Sequence, residues 1–80
     1  MNKIELMGDV TAEIRRIDEC IKTRRGRVNE LVSNMPIHKL FGNQELFKRC
    51  GRFVMQHGEC LADLENRRER LVTIFRRLAG

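Results

Sequence analysis

Residues 7–35 read MGDVTAEIRRIDECIKTRRGRVNELVSNM, and the spacing of their apolar side chains decides the fold. Steps of three and four alternate along the series Met7, Val10, Ile14, Ile17, Ile21, Val28, Leu31 and Met35. Only Arg24 interrupts this series. Because such steps place side chains on one face of an α-helix, the stretch predicts a long helix with a single apolar stripe.

A second and wider stripe follows in the C-terminal half of the chain. Its main row, interrupted by Arg67, consists of Cys50, Phe53, His57, Cys60, Leu64, Leu71, Ile74 and Leu78. Four further apolar residues widen the row: Phe47, Val54, Leu61 and Phe75. We therefore expect a second helix that buries a broader face than the first.

Capping and breaking residues give the expected bounds of the two helices. Asn2 stands three residues before Glu5, a spacing typical of a helix N-terminus. Pro36 disfavours the α conformation of the residue before it, which predicts that the first helix, beginning at about residue 3, ends near residue 33. Asn43 is suited to cap the second helix.

These bounds predict one all-α domain over residues 1–80. It contains a helix over about 3–33, a bend over 34–42 with room for a short extra helical turn, and a helix over about 43–78. A short connection between long helices makes them antiparallel neighbours. The predicted fold is therefore a long, coiled-coil-like helical hairpin, which we expect to assemble into a helical bundle.

Composition narrows the class of protein. The chain has 80 residues, four Phe, no Tyr, no Trp and three Cys, an odd number that cannot pair completely within one chain. No stretch approaches the roughly 18 apolar residues that a membrane span needs. We expect free thiols, a cytoplasmic location and no membrane partner.

Positive charge is concentrated near the predicted bend. Residues 22–60 hold eight basic and three acidic residues, which accounts for the whole net charge of +5. The basic bend patch comprises Arg24, Arg25, Arg27, Lys39, Lys48, Arg49 and Arg52. Such a patch can bind an acidic protein surface or nucleic acid, or simply remain solvated. No aromatic residue alternates with these charges, which argues against recognition of single strands by base stacking.

Cysteine and histidine offer an incomplete metal site. His57 and Cys60 lie three residues apart on the second stripe, and Cys20 is expected at a similar level on the facing helix. These three side chains could bind zinc, but a fourth ligand is missing, and we predict no metal and no cofactor. The alternative is that they pack as core residues.

We predict that the chain is not an enzyme, because it has no glycine-rich phosphate loop and no nucleophile at a recognisable spacing from a base. A single partner helix cannot cover the whole second stripe, so Phe47, Val54, Leu61 and Phe75 are predicted to bind another protein or a second copy. The leading hypothesis is a protein-interaction module, meaning a small adaptor, co-chaperone or inhibitor. The alternative is a dimeric nucleic-acid-binding regulator that uses the basic bend patch.

Overall fold

Two long helices make up the protein. A computed structural model describes residues 2–80, with α1 over Lys3–Leu40 and α2 over Gln44–Ala79. The helices lie against each other in a molecule 60 × 17 × 14 Å in extent. At a rise of 1.5 Å per residue, a helix of 38 residues is about 57 Å long, so the long dimension is that of a single helix. The predicted all-α helical hairpin is confirmed.

Asparagine caps the start of each helix. The Asn2 side chain accepts a hydrogen bond from the Glu5 backbone N–H at 2.8 Å. The Asn43 side chain does the same for the Leu46 N–H at 3.2 Å. Each bond satisfies one of the four N–H groups that a helix start leaves without an intrahelical partner, as the sequence predicted.

The predicted end of the first helix near residue 33 is wrong. α1 continues through Pro36 to Leu40, so residues 34–40 form its last turns and neither a bend nor a separate extra turn. Pro36 lacks the N–H that would bond to the carbonyl of Val32, which costs one hydrogen bond. Packing on α2 compensates, since Met35 is half-buried and its Cε lies close to Gly51, 3.7 Å from where a Cβ on that residue would be.

The connection between the helices is a three-residue turn of defined geometry. Gly42 has φ +72°, a left-handed conformation that glycine adopts without steric cost. The Gly42 N–H donates to the Lys39 carbonyl at 3.1 Å, and the Asn43 N–H donates to the His38 carbonyl at 2.9 Å. This pair of bonds is the Schellman arrangement, which satisfies the last carbonyls of α1 and turns the chain directly into α2.

The buried core is small and lies mainly in the half of the hairpin far from the turn. Within residues 2–80 its members are Val10, Ile17, Ile21 and Cys50. The radius of gyration is 18.0 Å, against about 12 Å for a compact domain of this length. One interface between two long helices, which we call the seam, can bury few side chains. Nine large apolar side chains among residues 2–80 therefore remain exposed.

Two ion pairs join the helices along one side of the seam. Arg68 Nε lies 2.6 Å from Asp18 Oδ1, and Arg25 Nη2 lies 2.7 Å from Glu65 Oε1. All four side chains are largely exposed, so each pair contributes about 0–1 kcal/mol. Their main contribution is to the register: together with the contact of Met35 with Gly51, they fix how the two antiparallel helices are aligned.

Candidate functional site

Leu40 and Phe41, which we call the tip, stand at the turn with almost no cover. Leu40 is 82% exposed and Phe41 is 79% exposed. The Schellman arrangement explains this, because it fixes the backbone by its own hydrogen bonds and leaves both side chains without a neighbouring element to pack on. Ile37, one helical turn before Leu40, is half-exposed and extends the apolar surface along α1.

Four cations lie within about 12 Å of the turn along the helix axes and form what we call the collar: Lys39, Lys48, Arg49 and Arg52. Residues 37–52 contain Glu45 as their acidic residue, which leaves a net charge of +3 with His38 neutral. Lys39 Nζ lies 6.0 Å from the centre of the Phe47 ring, at the limit of a cation–π contact. Within residues 2–80, none of the four collar residues forms a salt bridge.

The remaining members of the predicted basic bend patch are engaged elsewhere along α1. Arg25 pairs with Glu65, and Arg27 pairs with Glu30 at 3.0 Å. These residues also lie some 13 or more positions before the end of α1, which is about 20 Å or more along the helix. The structure therefore divides the patch into a free collar at the turn and a compensated group in the middle of α1.

Arg24 has a partner that the sequence analysis did not identify. Its Nη1 lies 3.2 Å from Nδ1 of His57, in a half-buried contact across the seam. Because arginine only donates hydrogen bonds, Nδ1 of His57 is the acceptor in this contact. The sequence does contain a signal for this contact: Arg24 and His57 interrupt facing apolar stripes, where two polar side chains are expected to form a hydrogen bond with each other.

The same contact bears on the candidate zinc ligands. His57 directs its Nδ1 lone pair at a guanidinium, although Cys20 and His57 do line one shallow groove. Across residues 2–80, no three His, Cys, Asp or Glu side chains converge in a way that could hold a metal ion. The three cysteines are free thiols, with Cys20 exposed, Cys60 half-buried and Cys50 buried.

The wide stripe of α2 consists of three columns, each with residues seven positions apart. The central column contains Cys50, His57, Leu64, Leu71 and Leu78. The covered column contains Phe47, Val54, Leu61, Arg68 and Phe75. The open column contains Leu46, Phe53, Cys60, Arg67 and Ile74. Residues 46 and 47 point 100° apart around the helix, with residue 50 between them, so the covered and open columns flank the central one.

The structure places the predicted partner-binding strip in the covered column. Phe47, Val54, Leu61 and Phe75 are all half-buried, and Arg68 of the same column reaches Asp18 on α1. The open column is the less protected flank, with Phe53 45% exposed and Ile74 44% exposed. α1 thus covers the central column and one flank, and the flank left free is the one opposite the predicted strip.

Comparison with known proteins assigns neither a family nor a function, because no family model, curated protein or solved structure matches this chain. Among residues 2–80, no helix is apolar over a length that would cross a membrane.

Proposed function

We propose that the chain is a non-enzymatic protein-interaction module, an adaptor, co-chaperone or inhibitor, whose tip docks into an apolar pocket of another protein. The exposure of Leu40 and Phe41 carries this proposal. Two large apolar side chains in adjacent positions face water, and the backbone beneath them is held by the bonds of the turn. A rigid turn that presents unpaired apolar groups loses little conformational entropy on binding.

The collar indicates the charge of the partner. Lys48, Arg49 and Arg52 lie in the first turns of α2 and form no salt bridge in the part of the chain described. A pocket with an acidic rim would complement them, speed association and disfavour basic competitors. Burial of the two tip side chains would supply about 1.5–3 kcal/mol each.

A photocrosslinking amino acid at position 41 tests this proposal in cells. Phe41 is replaced by benzoylphenylalanine, and Met55, 70% exposed and away from the turn, is replaced in the control. We expect a protein adduct at position 41 that the control lacks. The captured protein is then purified, and its affinity is measured by calorimetry with the unmodified chain and with Phe41→Ser.

Phe41→Ser should weaken binding by about 10- to 100-fold, which corresponds to the lost burial of one aromatic side chain. Met55→Ser should leave the affinity unchanged. Equal adducts at both positions, or equal affinities of the two variants, would contradict docking through the tip.

The collar also favours a second candidate function, a nucleic-acid-binding regulator, because its cations are free to contact phosphates. Fluorescence anisotropy with labelled duplex DNA and with labelled RNA is the appropriate assay. Binding through the phosphates should fall steeply as salt rises, and Arg49→Ala should reduce the slope by about one counterion. Docking of an apolar tip should depend far less on salt.

A further inference from the structure

We infer that the open column is the interface for a second copy of this chain, with the two α2 helices antiparallel. The inference goes beyond the proposed function, because the open column shares no residue with the tip or its collar. It starts from spacing: Leu46, Phe53, Cys60, Arg67 and Ile74 recur every seven residues. A strict seven-residue repeat keeps one side of a helix facing another helix over several turns.

The surface area of the chain indicates how much a partner has to cover. The accessible surface is 6385 Å², whereas a compact monomer of 9.4 kDa has about 5,000 Å². The excess of about 1,400 Å² exceeds the roughly 800 Å² per partner that a standard stable interface buries. A second hairpin laid along the open column removes an area of this size, while α1 already occupies the other flank.

Charge favours an antiparallel arrangement of the two α2 helices. The acidic segment 59–63 contains the exposed side chains of Glu59 and Asp63, and the exposed Arg67 follows in the open column. Arg68 and Glu65 do not contribute, because they pair with Asp18 and Arg25 of α1. A two-fold axis between positions 63 and 64 sets each acidic segment near the partner's Arg67. A parallel arrangement would set the acidic segments against each other, which is unfavourable.

This register also gives four members of the open column, Phe53, Cys60, Arg67 and Ile74, a chemically suitable neighbour. Phe53 meets the partner's Ile74, an aromatic side chain against an aliphatic one. Arg67 meets the partner's Cys60 and lies within one helical turn of the partner's Asp63. Arg67 and Asp63 are both exposed and form no salt bridge within residues 2–80. In the dimer, Arg67 of each chain would pair with the partner's Asp63, which gives two symmetric ion pairs.

Charge exchange at the centre of the open column is the decisive experiment. The oligomeric state of the purified chain is measured by sedimentation equilibrium over the micromolar range, and circular dichroism verifies that each variant is helical. We expect a reversible dimer for the unmodified chain. Arg67→Asp and Asp63→Arg should each raise the dissociation constant by about tenfold or more, and the double variant should restore it. Met55→Asp, on an exposed position outside the column, is the matched control.

A crosslink provides a second readout that does not depend on affinity. In Arg67→Cys the new thiol lies opposite the partner's Cys60, so mild oxidation should give a covalent dimer on a non-reducing gel. Met55→Cys should not. In the unmodified chain the two Cys60 side chains lie about 10 Å apart along the axis and should not join.

Three results would overturn the inference. One is a chain that remains monomeric throughout the micromolar range. Another is a dimer of the unmodified chain that crosslinks through Cys60 itself, since that requires parallel helices. The third is a dimer that Phe41→Ser disrupts and Arg67→Asp does not, because self-association would then use the tip. Loss of partner binding in Phe41→Ser with an intact dimer leaves the two proposals independent.

Discussion

Replacement of Ile17 by alanine should test the core of the hairpin more severely than any other single change. Ile17 is 3% exposed and is the least exposed of the four buried core side chains among residues 2–80. The change removes three carbon atoms, worth about 0.8 kcal/mol each in transfer free energy, and leaves a cavity that two rigid helices cannot close. We expect Ile17→Ala to lower the free energy of unfolding by about 3 kcal/mol.

Ile74→Ala is the matched control, because it removes the same atoms from a side chain that is 44% exposed. Slightly more than half of the transfer term applies and no enclosed cavity forms, so we expect a loss of about 1.3 kcal/mol. Urea denaturation followed by circular dichroism measures both free energies of unfolding. In a separate thermal scan, the melting temperature of the Ile17 variant should lie roughly 12–24 °C below that of the unmodified chain.

The comparison should be repeated at a tenfold lower protein concentration, because a dimer would add burial to Ile74 and none to Ile17. Equal losses for the two variants at the lowest concentration would refute the reasoning. They would mean that the stripe containing Ile17 is not the core and that the helices meet along another face.

Three further predictions concern the proline, the turn and the thiols. Pro36→Ala restores an N–H inside α1 and should stabilise the protein by about 1–3 kcal/mol in the same urea assay; a loss of stability would mean that α1 needs the proline. Gly42→Ala places a Cβ at φ +72° and should cost about 1 kcal/mol, although nothing crowds that site, so an unchanged midpoint would contradict the left-handed turn. Titration with a thiol reagent should find Cys20 reactive in the native state and Cys50 only in denaturant, with three thiols in all after unfolding; a fast-reacting Cys50 would show that the helices separate at that level.

The hairpin itself was predictable because its signals agree. The apolar steps of three and four in residues 7–35 define a helix, and Asn43 caps the next one in the structure as it does in the pattern. The end of α1 was not predictable in this way. Pro36 is a reliable local signal against helix, but Met35 packs beside Gly51 and Lys39 approaches the Phe47 ring, and a local rule cannot include such contacts with α2.

The site was predictable only in part. The residues of the wide stripe were correctly grouped, but periodicity does not say which of two flanks the partner helix covers. That choice depends on cross-helix contacts such as Arg68 with Asp18, fifty positions apart in sequence. The apolar periodicity also did not predict the exposure of Leu40 and Phe41. That exposure arises because α1 continues to Leu40 and a tight turn follows directly.

The uneven distribution of the buried side chains has a consequence for how the molecule opens. Val10, Ile17 and Ile21 lie far from the turn, whereas Cys50 is the one buried residue in the half that contains the turn, among residues 2–80. Regions with few buried apolar contacts open locally at a small fraction of the global unfolding free energy. Amide hydrogens of the helices next to the turn should therefore exchange with solvent before those of residues 10–21. The turn keeps its own hydrogen bonds from Gly42 and Asn43, so the helices would part behind a tip that retains its shape, while they stay joined nearer their free ends.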